Sequence, residues 1–264
     1  MTRPILSTLS RTLLAAIWAA STHASHAHTA AAGDASAAQA PPEPAEIQSV
    51  SVSAVRDPEI KSYRAMLAGL DAFDKHRARA PAAPELRFML SPLSNKPSTD
   101  YANVKLTIRG DTVSIPVPID ADNSFVLPRD KQADAEKADL VLDLRKGQIR
   151  GRPEVRTPGV PANARRLGDL RLECEVRSAI ARSEMNFVFR SAIATATLGS
   201  GLCESKRMKM GFFAGKPIKA LTLVADTRRV PLTSFAGAHY FPPVGDKSWP
   251  DDTLLEFEFE PPAS

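Results

Sequence analysis

The sequence predicts a mainly β fold with helical additions (α+β). It is expected to comprise two related antiparallel β-sandwich or meander units joined by a disulfide-stapled, partly helical segment. First, apolar and polar residues alternate in short runs through residues 86–144 and again through 208–259. Period two puts one face of a strand in a core and the other in water, as in antiparallel sheets. Second, sliding the chain against itself by 115 residues matches Leu106-Thr107-Ile108 to Leu221-Thr222-Leu223 and Asp111-Thr112 to Asp226-Thr227. The same offset matches Pro116, Phe125, Pro128 and Leu140 to Pro231, Tyr240, Pro243 and Leu255. Residues 104–144 and 219–259 share eight identities, where unrelated segments would share about two or three. Third, the chain has only two cysteines, Cys174 and Cys203, both between the matched stretches.

Residues 1–27 read as a secretory signal peptide. Arg3 and Arg11 make a basic start, Thr12–Ala20 form a short apolar core, and cleavage is expected after Ala24 or Ala27. Cleavage after Ala27 removes two basic residues and lowers the net charge from +4 to +2, so whole-protein charge selects no partner. Residues 28–54 are rich in alanine and proline and poor in large apolar side chains. Such a stretch cannot bury enough surface to offset its ordering entropy, which predicts a disordered tether. His23, His26 and His28 fall in and beside it, and neither cleavage site puts a histidine third, where it would chelate copper or nickel.

Residues 55–144 are expected to hold a helix and the first β unit. Asp57-Pro58 resembles a cap followed by a first-turn proline. Ile60, Tyr63, Met66, Leu67, Leu70 and Phe73 follow at helical spacing, which predicts a helix over 58–79. Strands are expected around Leu86–Leu90, Val104–Ile108, Val113–Val117, Phe125–Leu127 and Leu140–Leu144, with a hairpin turn at Gly110-Asp111.

Residues 145–204 form the expected connecting segment. Leu170, Leu172, Cys174 and Val176 alternate with Arg171, Glu173, Glu175 and Arg177, favouring a strand, although the same residues are good helix formers. Met185, Phe189, Ala192, Ile193 and Ala196 predict a helix over 183–197, ended by Gly199 and Gly201. In an exported chain the cysteine pair predicts a Cys174–Cys203 disulfide. The second β unit is expected over 205–264, with strands at Met208–Met210, Leu221–Leu223, Val230–Leu232, Tyr240 and Leu255–Phe259 and a turn at Asp226-Thr227.

The chain contains no metalloprotease H-E-x-x-H, no G-x-S-x-G elbow and no G-x-G-x-x-G. Gly211–Lys216 lacks the spacing and the Ser or Thr of a phosphate loop and reads as a turn. No catalytic residue is nominated. His239 beside Asp246, Asp251 or Asp252 is the one pairing worth naming for a histidine-based triad, and His76 is the other histidine outside the tail. The binding candidates are Arg145, Arg150, Arg152, Arg156, Arg165 and Arg166. They belong to a stretch, 145–171, that carries a local charge of +6. Arginine binds phosphate and carboxylate bidentately, so an envelope component or anionic polymer is a conceivable partner. The absence of aromatic residues there argues against stacked nucleic acid. No metal site and no cofactor are nominated; calcium would have only Asp246, Asp251 and Asp252 to bind. No apolar run approaches the roughly 20 residues of a membrane span.

Two stretches, Arg165-Arg166-Leu167-Gly168-Asp169-Leu170-Arg171-Leu172-Glu173-Cys174-Glu175-Val176 and Ser248-Trp249-Pro250-Asp251-Asp252, resemble segments of an uncharacterised family of exported Gram-negative bacterial proteins. The resemblance covers the last two-thirds of the chain and implies export, with no activity attached. The leading expectation is a non-enzymatic periplasmic or secreted module for binding or envelope structure. A carboxylate-dependent hydrolase with a site assembled only on folding, and a polyanion-binding module using the 145–171 arginines, are the alternatives.

Overall fold

The computed structural model describes residues 57–93, 103–207 and 209–261. The expected signal peptide, the tether, the three tail histidines and Met208 lie outside these residues. Among the described residues the protein is mixed, with four α-helices and fourteen strands in four antiparallel sheets.

The chain opens with strand β1 (Pro58–Ser62) and helix α1 (Tyr63–Lys75), followed by a 3-10 turn over Arg77–Arg79. The helix expected from Pro58 therefore starts five residues later. Pro58 lacks a donor and suits the first residue of an edge strand, which β1 is, pairing only with β6 (Asp139–Arg145). Ser62 then caps the helix, its hydroxyl accepting from the Ala65 N–H. Strands β2 (Arg87–Pro92), β3 (Leu106–Arg109), β4 (Ser114–Val117) and β5 (Ser124–Phe125) follow, then a short helix α2 (Lys131–Ala135) before β6. Strand β7 (Ile149–Glu154) pairs with β2. One sheet has the order β1-β6-β3-β4 and the other β5-β2-β7.

Strand β8 (Ala164–Arg166) runs into helix α3 (Leu167–Glu184), and helix α4 is Phe187–Ala196. Strands β9 (Phe212–Phe213), β10 (Ile218–Ala225), β11 (Arg228–Pro231), β12 (Ser234–Phe235), β13 (His239–Tyr240) and β14 (Leu254–Phe259) complete the chain. They form sheets of order β11-β10-β14-β8 and β12-β13-β9. The registers of the two larger sheets correspond. Leu106 faces Leu142 and Ile108 faces Leu140, while Leu221 faces Phe257 and Leu223 faces Leu255. Thr107 faces Pro116, as Thr222 faces Pro231. At the outer strands Lys61 faces Leu140 and Arg165 faces Leu255.

Residues 170–177 are helical, which corrects the strand favoured by their alternation. The reason is that α3 serves two cores at once. Leu172 and Val176 belong to a core with Tyr63, Met66, Leu70 and Phe88. Leu167, Leu170 and Cys174 belong to a second core with Leu223, Tyr240, Trp249 and Leu255. Each set recurs at helical spacing, but interleaved they occupy every second position and imitate a strand. The intervening charges are buried too, and each is engaged. Arg171 is bonded to Asp251, Glu173 to Arg165, and Glu175 lies near Arg79 and His76. Gly69 lets α3 approach α1, since a Cβ there would lie 2.8 Å from Ile180 Cγ1.

The second helix of this segment is shorter than the expected 183–197. Helix α3 ends at Glu184, and Asn186 caps α4 by accepting from the Phe189 N–H. No residue of α4 is buried, so Phe187, Val188 and Phe189 are exposed rather than packed in a core. Cys174 and Cys203 are disulfide-bonded, with Cα atoms 5.7 Å apart. No helix among the described residues is long and apolar enough to cross a membrane.

Candidate functional site

A cleft of about 390 Å³ opens where the two sheets of the first half meet α3 and β9. Its walls are largely apolar. Phe88 and Leu90 come from β2, Leu142 from β6, Ile149 from β7 and Ile180 from α3. The alternation of β2 and β7 sends Phe88, Leu90 and Ile149 inward, which is why those side chains are buried while still lining the space. The volume lies at the low end of the roughly 300–1,000 Å³ usual for small-molecule sites.

Four arginines line this apolar space: Arg150 and Arg152 on β7, Arg165 on β8 and Arg177 on α3. Arg165 is neutralised. It donates to Glu173 and to the Val155 carbonyl (3.1 Å), and Glu173 also accepts from the Val155 N–H (2.8 Å). Burial alone would weaken the Arg165 charge, but Glu173, Tyr240 and Glu154 outweigh burial and hold its pKa above the ordinary arginine value. The other three are left under-neutralised. Arg150 lies over the Phe213 ring (5.8 Å) and Arg177 over Phe212 (5.2 Å), and neither has a carboxylate within 4.0 Å among the described residues. Arg152 reaches only Glu154, at 4.0 Å, and its Nε is buried without a partner. Burial, together with the charges of Arg150 and Arg152, keeps the Arg177 guanidinium below the ordinary value against the pull of Glu173.

A second, smaller cavity of about 210 Å³ lies on the other side of Arg152 and Arg165, lined also by Arg156, Lys216, Tyr240 and Phe257. Burial pushes the Tyr240 hydroxyl up to about 12, so it stays protonated and serves as a neutral wall.

The sequence-nominated arginines thus divide. Arg150, Arg152 and Arg165 line the larger cleft. Arg156 lines the smaller one, donating to Glu154 and to the Ala164 carbonyl (3.0 Å). Arg166 is held by Asp252 (2.8 Å) and the Arg79 carbonyl (2.5 Å). Arg145 sits exposed where β6 turns toward β7. Arg177 was not nominated: its signal was hidden in the alternation that suggested a strand, where it read as one more outward charge.

The acidic candidates do not meet. Asp246 pairs with Lys206 (3.1 Å), Asp251 with Arg171 (2.5 Å) and Asp252 with Arg166 (2.7 Å). His239 bonds to none of them. It lies between the rings of Phe213 (5.0 Å) and Phe235 (5.4 Å) on the cleft wall, its Nδ1 buried and unpartnered. Among the described residues no group of three or more His, Cys, Asp or Glu could hold a metal ion. The arrangement can bind and orient an anion next to apolar surface. Among the described residues that line the cleft there is no serine, threonine or cysteine to pair with a base. No protein-family model, curated protein or solved structure matches this chain.

Proposed function

We propose that the chain is an exported, non-enzymatic binding module of the periplasm or extracellular space that takes a small ligand into the cleft of its first half. The observation that carries this reading is the coincidence, in one cavity, of apolar walls and three arginines without adequate carboxylate partners. These arginines are half-buried, and a cation partly withdrawn from water without a close counter-ion is costly, a cost that a bound anion would lower. Export fits a disulfide, which persists in oxidising compartments.

The scaffold is a tandem duplication in this reading. The identical strand orders β1-β6-β3-β4 and β8-β14-β10-β11 support it, as do registers whose partners differ by 115 residues. Each half then contributes a strand, a long helix and six further strands, arranged as one four-stranded and one three-stranded antiparallel sheet. The arginines of 145–171 serve the cleft and its supports more than an extended polyanion surface, because Arg156, Arg165 and Arg166 are already engaged with carboxylates.

A thermal-shift screen of the oxidised protein tests this, with divalent cations, cell-wall sugars, polyanions and single-chain amphiphiles at low and high salt. Gly151→Leu is the control. Gly151 faces Leu90 across the ladder, and a Cβ there would meet only Leu90, at 4.0 Å. A leucine at 151 therefore enters the cleft without a backbone clash. The amphiphiles are expected to raise the Tm of the parent protein and not of Gly151→Leu. Stabilisation by cations or polyanions alone, undiminished in Gly151→Leu, would place binding elsewhere.

A further inference from the structure

Resting on the cleft reading, we infer that the ligand is a single-chain amphiphile with one anionic head: an aliphatic tail against Phe88, Leu90, Leu142 and Ile180, and a carboxylate or phosphate held by Arg150, Arg152 and Arg177.

The head assignment follows from how the charges are distributed. Glu173 is the buried carboxylate of the cleft, but Arg165 and the Val155 N–H already occupy it. Lys61 and Glu184, also on the lining, approach each other to 3.8 Å. Glu59, also on the lining, accepts from the Gly147 N–H (2.9 Å), which leaves the cationic group of Arg150, Arg152 and Arg177. Arg177 gives one Nη1 donor to the Gly211 carbonyl (2.7 Å), and its other donors, with the fork of Arg150 over Phe213, match the oxygens of a carboxylate or phosphate. A neutral hydrocarbon would leave these groups as they are. A sugar would meet few acceptors for its hydroxyls on walls of phenylalanine, leucine and isoleucine.

The tail assignment follows from a comparison inside the molecule. Phe125 and Leu142 line the larger cleft, and Tyr240 and Phe257 line the smaller cavity. Leu142 faces Leu106 as Phe257 faces Leu221, so the two residues hold corresponding places in their sheets. Phe125 faces Phe88 as Tyr240 faces Phe212. Where the second half carries a ring at 257, the first carries leucine at 142, and the space against it is about 390 Å³ rather than about 210 Å³.

Isothermal titration of the oxidised protein tests the inference. The ligands are dodecanoate, dodecyl phosphate and dodecanol, all below micelle-forming concentrations, with inorganic phosphate and acetate as heads without tails. One tailed anion is expected to bind one to one, about tenfold or more tighter than dodecanol. The better of the two identifies the head. Arg150→Gln and Arg152→Gln, neither of which breaks an ion pair closer than 4.0 Å, should each weaken the tailed anion about tenfold and leave dodecanol unchanged. Gly151→Leu should abolish all tailed binding. Equal affinity for dodecanol and dodecanoate, or indifference to both arginine substitutions, would overturn the anionic head and leave the cleft reading standing. Binding that survives Gly151→Leu, or no binding of any tailed ligand, would overturn the cleft reading itself. Thermal melts of each variant separate loss of binding from loss of fold.

Discussion

Arg165 of β8 and Glu173 of α3 form a buried ion pair, closed by the Val155 backbone, which donates to Glu173 and accepts from Arg165. The triangle ties the end of β7 to the helix shared by the two cores. Removing one partner leaves an uncompensated buried charge, so Glu173→Ala and Arg165→Met should each cost about 3–5 kcal/mol. The double variant Arg165→Met/Glu173→Leu should cost much less than their sum. Urea denaturation through the full cycle measures this, and strictly additive losses would mean the pair is not coupled.

Arg171 holds the segment before β14 from inside. It donates to the carbonyls of Val244 (2.9 Å), Asp246 (2.8 Å) and Trp249 (3.0 Å) and to the Asp251 carboxylate (2.5 Å). Lysine has the charge but not the fork. Arg171→Lys is expected to cost about 2–4 kcal/mol and to shift Trp249 emission to the red as its buried ring is exposed. Trp249 is the one tryptophan after residue 27, so the spectrum reports it alone. An unchanged spectrum would refute this role.

The disulfide bridges a sequence separation of 29 residues. Closing a loop of that size restricts the unfolded chain by about 3–4 kcal/mol. Cys174→Ala/Cys203→Ala should therefore melt about 6–16 °C lower in a domain of this size. Reductant should produce a similar fall in the parent protein and none in the variant.

Two half-exposed carboxylates, Glu136 and Asp246, predict acid sensitivity. The Thr112 hydroxyl, with the Thr112 N–H, holds Glu136 at about 2. The Ser248 N–H and Lys206 hold Asp246 at about 2. Both folded values lie below the ordinary 4.5 and 3.8. Their contributions are thus complete above the unfolded values and lost as pH falls from about 4.5 through 2. The urea midpoint should drop over that window, and Glu136→Gln with Asp246→Asn should flatten the drop. An unchanged slope in the double variant would assign the acid sensitivity to other groups.

Gly168 is required by proximity. A Cβ there would overlap the Arg79 carbonyl oxygen and the Arg166 guanidinium, and the backbone atom cannot swing away. Gly168→Ala should cost about 1–3 kcal/mol despite alanine's better helix propensity. A melting temperature at or above that of the parent would count against the close packing.

Much of the β framework was legible in the primary structure. Phe88 and Leu90, Leu106 and Ile108, and Leu140 and Leu142 alternate on strands because a sheet with one buried face demands period two. Pairing Cys174 with Cys203 needed only their count and the expectation of export. The conformation of 170–177 was not legible, because a helix wedged between two cores presents two stripes, and two stripes at helical spacing add up to a strand-like pattern. Folding also decided the fate of the charges. Asp246, Asp251 and Asp252 lie within seven residues of one another, yet each went to a different basic side chain. Arg177, by contrast, is separated by a whole strand and half a helix from Arg150 and Arg152, and it came to share a cleft with them. Period and composition report which faces are buried. Which charges meet depends on how distant elements pack, and in this chain that placed three under-neutralised arginines beside an apolar cavity.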